Sequence, residues 1–240
     1  MNFSTLATDY DGTLAEEGVV APSTIEALEA LRHSGRNIIL VTGRELPQLL
    51  EIFDRTDLFD WIVAENGALL YQPATRQKQL LTEPPPIQFV QELKRRGVSP
   101  ISTGEAVVAT WRPQETAVHQ VIRDLGLDLQ ITLNKDAVMV LPVGVDKASG
   151  LEAALEEMKL SWNTVVGIGD AENDFAFLSK CQCSVAVANA LDSLKQEVDF
   201  TTLASRGEGV VELIQHILKD DLCSLGDNDR QISIPSNTSS

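Results

Sequence analysis

The chain has 240 residues, 43% of them hydrophobic, and carries 35 acidic against 19 basic residues for a net charge of −16. That length and apolar share allow one or two packed domains and exclude a disordered or fibrous chain over most of the sequence. A surface so negative repels nucleic-acid backbones and anionic lipid, so neither is an expected partner, and an anionic small molecule must be received by a local positive site.

The first apolar run, Phe3 to Thr8, predicts a short buried strand that leads into Asp9-Tyr10-Asp11-Gly12-Thr13. Pro22-Ser23 starts a helix with Ile25, Leu28 and Leu31 on one face and Gly35 at its close. Asn37 to Val41 is a continuous apolar run, the pattern of a strand covered on both faces. Thr42-Gly43-Arg44 interrupts it before another helix. A third strand, Trp61 to Ala64, ends at Glu65-Asn66-Gly67. Strand and helix in alternation predict an α/β fold with a doubly wound parallel sheet.

The pattern then changes. Leu69–Tyr71 and Lys78–Leu81 predict strands around a Pro-Ala-Thr-Arg turn, and the triple proline at 84–86 opens a helix through Arg96. Val107 to Trp111 reads as a strand, and Val118, Val121, Ile122 and Leu125 mark a further helix. Leu129–Leu133 and Ala137–Leu141 predict a hairpin across Asn134-Lys135-Asp136. This stretch is an α+β insert. After Gly144 the first pattern resumes: a helix with Leu151, Leu155 and Met158, a buried strand Thr164–Ile168, then Gly169-Asp170-Ala171-Glu172-Asn173-Asp174. A strand at Ser184–Val187 and an amphipathic helix through Leu218 complete it. The expected division is 1–67 with 146–218 as the main domain, 68–145 as the insert, and 219–240 as a polar tail or linker.

Cys181, Cys183 and Cys223 cannot all pair, and no second cluster offers a zinc framework, which fits a reducing setting. The opening residues lack the pattern of a secretory leader and no apolar run reaches membrane length, so the cytoplasm is the expected location.

In open parallel sheets, ligands bind beyond the carboxyl ends of the strands. Asp9 and Asp11 stand there after the first strand, Thr42-Gly43-Arg44 after the second, and Asp170 and Asp174 after a later one. Lys147 stands where the chain re-enters the main domain. Converging carboxylates repel one another unless a cation lies among them, and hard oxygen donors without His or Cys suit Mg²⁺. A carboxylate can attack phosphorus, and a second carboxylate two residues on can move the proton. Gly12 and Gly43 allow backbone to approach a phosphate closely. Taken singly, each motif has an ordinary explanation: a turn, a helix entry, a solvated lysine or a helix cap. Their shared order at strand ends points to one site.

The Asp9-Tyr10-Asp11-Gly12-Thr13-Leu14, Val41-Thr42-Gly43-Arg44, Asp146-Lys147 and Gly169–Asp174 segments resemble the four motifs of the haloacid dehalogenase superfamily. The insert between the second and third resembles the C2 cap of the Cof-like sugar phosphatases, as does Glu65-Asn66-Gly67-Ala68 before it. The small cap is similar to that of phosphoglycolate and sucrose-phosphate phosphatases. The resemblance implies a Rossmann-like core with a C2 cap and a Mg²⁺-dependent phosphatase acting on a small phosphorylated metabolite. It implies Asp9 as nucleophile and metal ligand, and Asp11 as acid/base with its backbone carbonyl on the metal. Thr42 and Lys147 would hold the phosphoryl group. Asp170 would ligate the metal, and Asp174 would support Lys147 or a metal-bound water. Gly12, Gly43, Arg44 and Asn173 would lie against the substrate. Trp111 and Arg112, in the insert, are further candidates for facing it. A phosphomannomutase-like phosphotransferase and a non-catalytic phosphate-sensing domain are the competing readings.

Overall fold

The computed structural model describes residues 3–223. In chain order it begins with β1 (Thr5–Thr8), a two-residue ribbon β2 (Ala15–Glu16) and β3 (Val19–Val20), and helix α1 (Pro22–His33). Strand β4 (Asn37–Val41), α2 (Leu46–Ile52), β5 (Trp61–Ala64), β6 (Leu69–Gln72) and β7 (Gln77–Leu80) follow. Then come α3 (Ile87–Arg95), β8 (Ser102–Thr103), β9 (Val108–Trp111), α4 (Glu115–Asp124), β10 (Leu129–Asn134) and β11 (Ala137–Pro142). The last part holds α5 (Lys147–Met158), β12 (Val165–Gly169), α6 (Phe175–Leu178), β13 (Cys183–Ala186), α7 (Asp192–Lys195), β14 (Phe200–Thr201) and α8 (Arg206–Asp220).

The main sheet has the order β14-β13-β12-β1-β4-β5-β6-β7. It is parallel from β14 to β5 and antiparallel at β5–β6 and β6–β7. β1 and β12 are buried at every residue, as strands covered by helices on both faces must be. Helices α1 and α8 pack together, while α5 packs on α6 and across β4, β5 and β6. The register aligns Thr8 with Ile168 on one side and with Leu40 on the other. Residues just past those three partners therefore share one edge of the sheet, and they are Asp9, Asp170 and Thr42.

A second, antiparallel sheet has the order β10-β11-β9-β8. Its own core holds Phe89, Val90, Leu93, Val108, Val118 and Val138, where α3 and α4 cover one face. A small third cluster of Ala68, Ala106, Val107, Met139 and Leu141 joins the two sheets.

Two expected boundaries shift. The sequence reading begins the insert at residue 68, but β6 pairs with β5 and β7 with β6, which lengthens the main sheet as far as Leu80. A hairpin signal names its own partner strand but not the edge it joins, and that edge is chosen by tertiary packing. The polar tail was expected from residue 219, yet α8 runs to Asp220 and Leu222 packs into the main core. The rest of that tail, 224–240, lies outside the described residues. The ribbon β2–β3 and the two-residue strands β8 and β14 are too short to carry a periodic signal in the sequence.

Candidate active site

Lys147 organises the site. It is the first residue of α5, whose start is fixed by a reciprocal cap. Asp146 Oδ1 accepts from the Ser149 N–H at 2.8 Å, and the Asp146 N–H donates to Ser149 Oγ at 3.0 Å. The helix end docks on the Glu65–Gly67 turn because Gly150 has no side chain: a Cβ there would stand 2.6 Å from Gly67 Cα. A lysine at a helix N-terminus faces the positive end of the dipole, so it needs carboxylates to hold it. It has them. Its fully buried Nζ donates to Asp9 Oδ1 at 2.6 Å and to Asp174 Oδ1 at 2.5 Å.

Asp174 in turn closes the turn after β12. Its Oδ2 accepts from the Asp170 N–H at 2.8 Å and the Ala171 N–H at 3.0 Å. Both Asp174 oxygens are thus engaged. Asp170 differs: its buried Oδ1 has no hydrogen-bond partner. Ligand atoms of Asp9, Asp170 and Asp174 all lie within 4.8 Å of one another, so this buried acidic triad can hold a metal ion. A donor set of carboxylate oxygens alone, one of them orphaned, fits a hard divalent cation.

The electrostatics follow from burial. Loss of water holds the Asp9 carboxyl well above the usual carboxylate range; Asp174 adds to this, Lys147 opposes it, and Asp170 adds further. Burial also raises Asp170, and the ammonium of Lys135 works against it. Lys147 would be pulled down by burial, but Asp174 and Asp9 outweigh that and hold it above an ordinary lysine.

Asp11 sits apart from the triad. Arg44 grips it with two bonds, Nε to Oδ2 at 2.6 Å and Nη2 to Oδ1 at 2.6 Å, a fork geometry that raises the guanidinium pKa. The guanidinium lies 5.6 Å from the centre of the Tyr10 ring. Burial pushes the Tyr10 hydroxyl up to about 12, and it donates to the Gly18 carbonyl at 2.9 Å. Tyr10, to which the sequence attached no role, is therefore the floor beneath Arg44. Thr42 is buried and its Oγ1 accepts from the Arg44 N–H at 3.1 Å. Gly12 adopts φ +86°, and a Cβ on it would collide with Asp170 Oδ2. Asn173 donates from Nδ2 to Asn66 Oδ1 at 3.0 Å and lies 3.7 Å from where a Cβ on Gly43 would be.

Four residues with no role assigned from sequence complete the arrangement. Glu65, fully buried, reaches from the main domain to accept the N–H groups of Glu105, Ala106 and Val107 at 2.9, 2.7 and 3.1 Å. Asn66, in the left-handed region with φ 56°, partners Asn173. Asn189 donates to the Gly12 carbonyl at 2.8 Å. It follows an apolar strand just as Asp9 does, so the same strand-end reasoning would have found it. Lys135, at the β10–β11 turn, donates from Nζ to Asp170 Oδ2 at 2.6 Å. Nothing in its sequence surroundings marks it, because the contact spans the two sheets.

Between the sheets lies a cleft of about 430 Å³, lined by Asp11, Arg44, Glu45, Trp111, Lys135 and Met139 among others. Arg112, by contrast, in the turn before α4, pairs with Glu115 at the start of that helix at 3.0 Å. A larger hollow of about 980 Å³ opens at the other end of β5, around Asp60, Trp61 and Tyr71, away from every carboxylate of the triad.

A family model described as haloacid dehalogenase-like hydrolase matches residues 6–110 and 114–214. The chain belongs to the haloacid dehalogenase-like hydrolases. It is 28% identical over 223 residues to a phosphoglycolate phosphatase of Methanothermobacter thermautotrophicus, covering 89% of this chain and 98% of the relative. It is 24% identical to a 5-amino-6-(5-phospho-D-ribitylamino)uracil phosphatase of Bacillus subtilis, covering 88% of this chain and 94% of that protein. A crystal structure from Thermoplasma acidophilum superposes with a TM-score of 0.79 at 20% identity, over 91% of this chain and 99% of that one. A sugar phosphatase of subclass IIB of the same family superposes with a TM-score of 0.74 at 20% identity, over 89% and 98%. These two likenesses show the fold. The expected α/β core with an inserted cap, and the expected membership of the Cof-like phosphatase branch of the family, are borne out. No helix among the described residues is long and apolar enough to cross a membrane.

Proposed function

We propose that this chain hydrolyses a small phosphorylated metabolite through an aspartyl-phosphate on Asp9, with Mg²⁺ held by Asp9 and Asp170. The observation that carries the reading is the buried lysine between Asp9 and Asp174, beside a carboxylate with one oxygen unpartnered. A fully buried charge persists only where its partners serve it, and perturbed groups of this kind gather at functional sites.

The chain's own residues supply the following. Lys147 holds Asp9 by Oδ1, which fixes the carboxylate's orientation and leaves Oδ2 to attack phosphorus. As the phosphoryl group is transferred, charge spreads over its equatorial oxygens, and Lys147, Thr42 and nearby backbone N–H groups stabilise it. Asp174 acts through Lys147 and the turn in this reading, its oxygens accepting from both. It is a positioning residue. A divalent cation held by Asp9 and Asp170 would supply charge neutralisation for the reacting phosphate. Asp11 gives its proton to the leaving oxygen and then takes one from the attacking water, so Arg44 must release at least one of its two bonds to Asp11. Cap and core together exclude water from the reacting phosphate.

Phosphate release from a panel of phosphorylated metabolites, with and without Mg²⁺, tests the reading. Turnover should require the cation, and the Asp9→Asn variant should release no phosphate. Full activity in that variant would remove Asp9 as nucleophile.

A further inference from the structure

The tip of the β10–β11 hairpin projects from the insert into the main domain's site. Lys135, the first of its two turn residues, has φ 52°, and its N–H donates to Glu172 Oε2 at 3.1 Å. That main-chain bond anchors the tip on the turn that carries Asp170. The ammonium then reaches Asp170 Oδ2 at 2.6 Å and would stand 2.9 Å from a Cβ on Gly12. Lys135 remains 46% exposed while Asp170 is 1% exposed, so this cation is replaceable where Lys147 is not. Two cations line the cleft, Arg44 and Lys135. Arg44 is forked onto the side chain of Asp11, a partner the proposed metal does not contest; the ammonium of Lys135 has Asp170 alone.

Asp170 is also the carboxylate on which the proposed metal depends. A divalent cation and an ammonium on the same carboxylate repel each other, and the doubly charged ion with hard oxygen donors wins. The displaced ammonium cannot go far, because the hairpin stays anchored through its backbone. Its flexible four-carbon stem lets it swing into the cleft, where it again needs an anion. The cleft is small and partly apolar, with Val107, Ala109 and Met139 in its wall. One ammonium matches the single charge of a carboxylate, whereas a second phosphate would leave charge unmatched and would favour a forked Arg.

We propose that Lys135 is a specificity-determining residue: it leaves Asp170 when the metal binds and pairs with a carboxylate on the phosphoester's tail. This rests on the phosphatase reading above and narrows it to phosphorylated small acids. The deciding experiment compares wild type, Lys135→Met and Lys135→Arg on 2-phosphoglycolate and on 2-hydroxyethyl phosphate, which lacks the carboxylate. In Lys135→Met, KM for the acid should rise about ten-fold more than KM for the neutral ester, and Lys135→Arg should recover part of that gap. Calorimetry of Mg²⁺ binding to the substrate-free proteins should show tighter binding in Lys135→Met, because the competing ammonium is gone. Equal shifts on both esters, or Mg²⁺ affinity that does not tighten, would overturn the assignment of Lys135 while leaving the phosphatase reading intact. Failure of the wild type to hydrolyse any phosphoester would bring down that reading and this one with it.

Discussion

The edge of the main sheet and the hairpin of the insert meet at Asp170, and they bring opposite kinds of chemistry to it. The sheet edge presents groups that are buried, hydrogen-bonded and placed by backbone: Lys147 at a capped helix start, Asp174 on two amides, Asp9 at the end of β1. The hairpin presents one half-exposed lysine on a flexible stem. A group that must stabilise a transition state has to be preorganised, since any movement it makes during reaction costs catalysis. A group that selects substrate gains from being able to exchange partners. The division of labour follows from burial: rigid chemistry on the sheet, adaptable recognition on the insert.

Substitutions should separate the two regions, the sheet edge changing turnover and the insert changing selectivity. The largest effect belongs to Asp9→Asn, which removes the nucleophile and should lower kcat by about 10⁴-fold or more in a phosphate-release assay. Next comes Lys147→Met. It strands Asp9 and Asp174 as buried carboxylates without their cation, which should cost about 3–5 kcal/mol in chemical denaturation besides abolishing turnover. If that variant were as stable as wild type, the buried pair would not be the keystone of this edge.

Glu65→Ala tests the join between the regions. Three N–H groups of the 105–107 segment would lose their acceptor, and stability should fall by about 1–3 kcal/mol, with KM more affected than kcat. An effect on kcat alone would contradict a tethering role.

Dependence on pH and metal is smaller and has a definite sign. Burial raises the carboxyls of Asp9 and Asp170, so the folded state prefers them protonated. Their contribution to stability is present below the ordinary value of 3.8 and is lost as pH rises through the raised folded values. Mg²⁺ binds the ionised forms, so it should raise Tm more at about pH 8 than at about pH 5. Melting curves with and without the cation check this. The smallest change expected is from Trp111→Ala, on the exposed wall of the cleft: KM should rise by roughly three-fold or less, with stability within about 0.5 kcal/mol of wild type.

The motifs at the sheet edge were legible in advance for a physical reason. A strand buried on both faces is a continuous apolar run, and whatever polar residue ends such a run must lie at the sheet's carboxyl edge. Asp9, Thr42 and Asp170 were recognisable in that way, and Lys147 and Asp174 by their motifs. The pairing of Arg44 with Asp11 and the full engagement of Asp174 were not, because side-chain bonds depend on which neighbours fold close.

By itself, then, the sequence determined the alternation of strand and helix, the interruption by an α+β insert and the acidic strand ends. All of these rest on local periodicity and on the burial it demands. Only the tertiary structure decided that β6 and β7 extend the main sheet, that Glu65 ties the insert down and that Lys135 meets Asp170. Those are contacts between residues far apart in the chain, made by single side chains or by the choice of a sheet edge, and no period in the sequence encodes them.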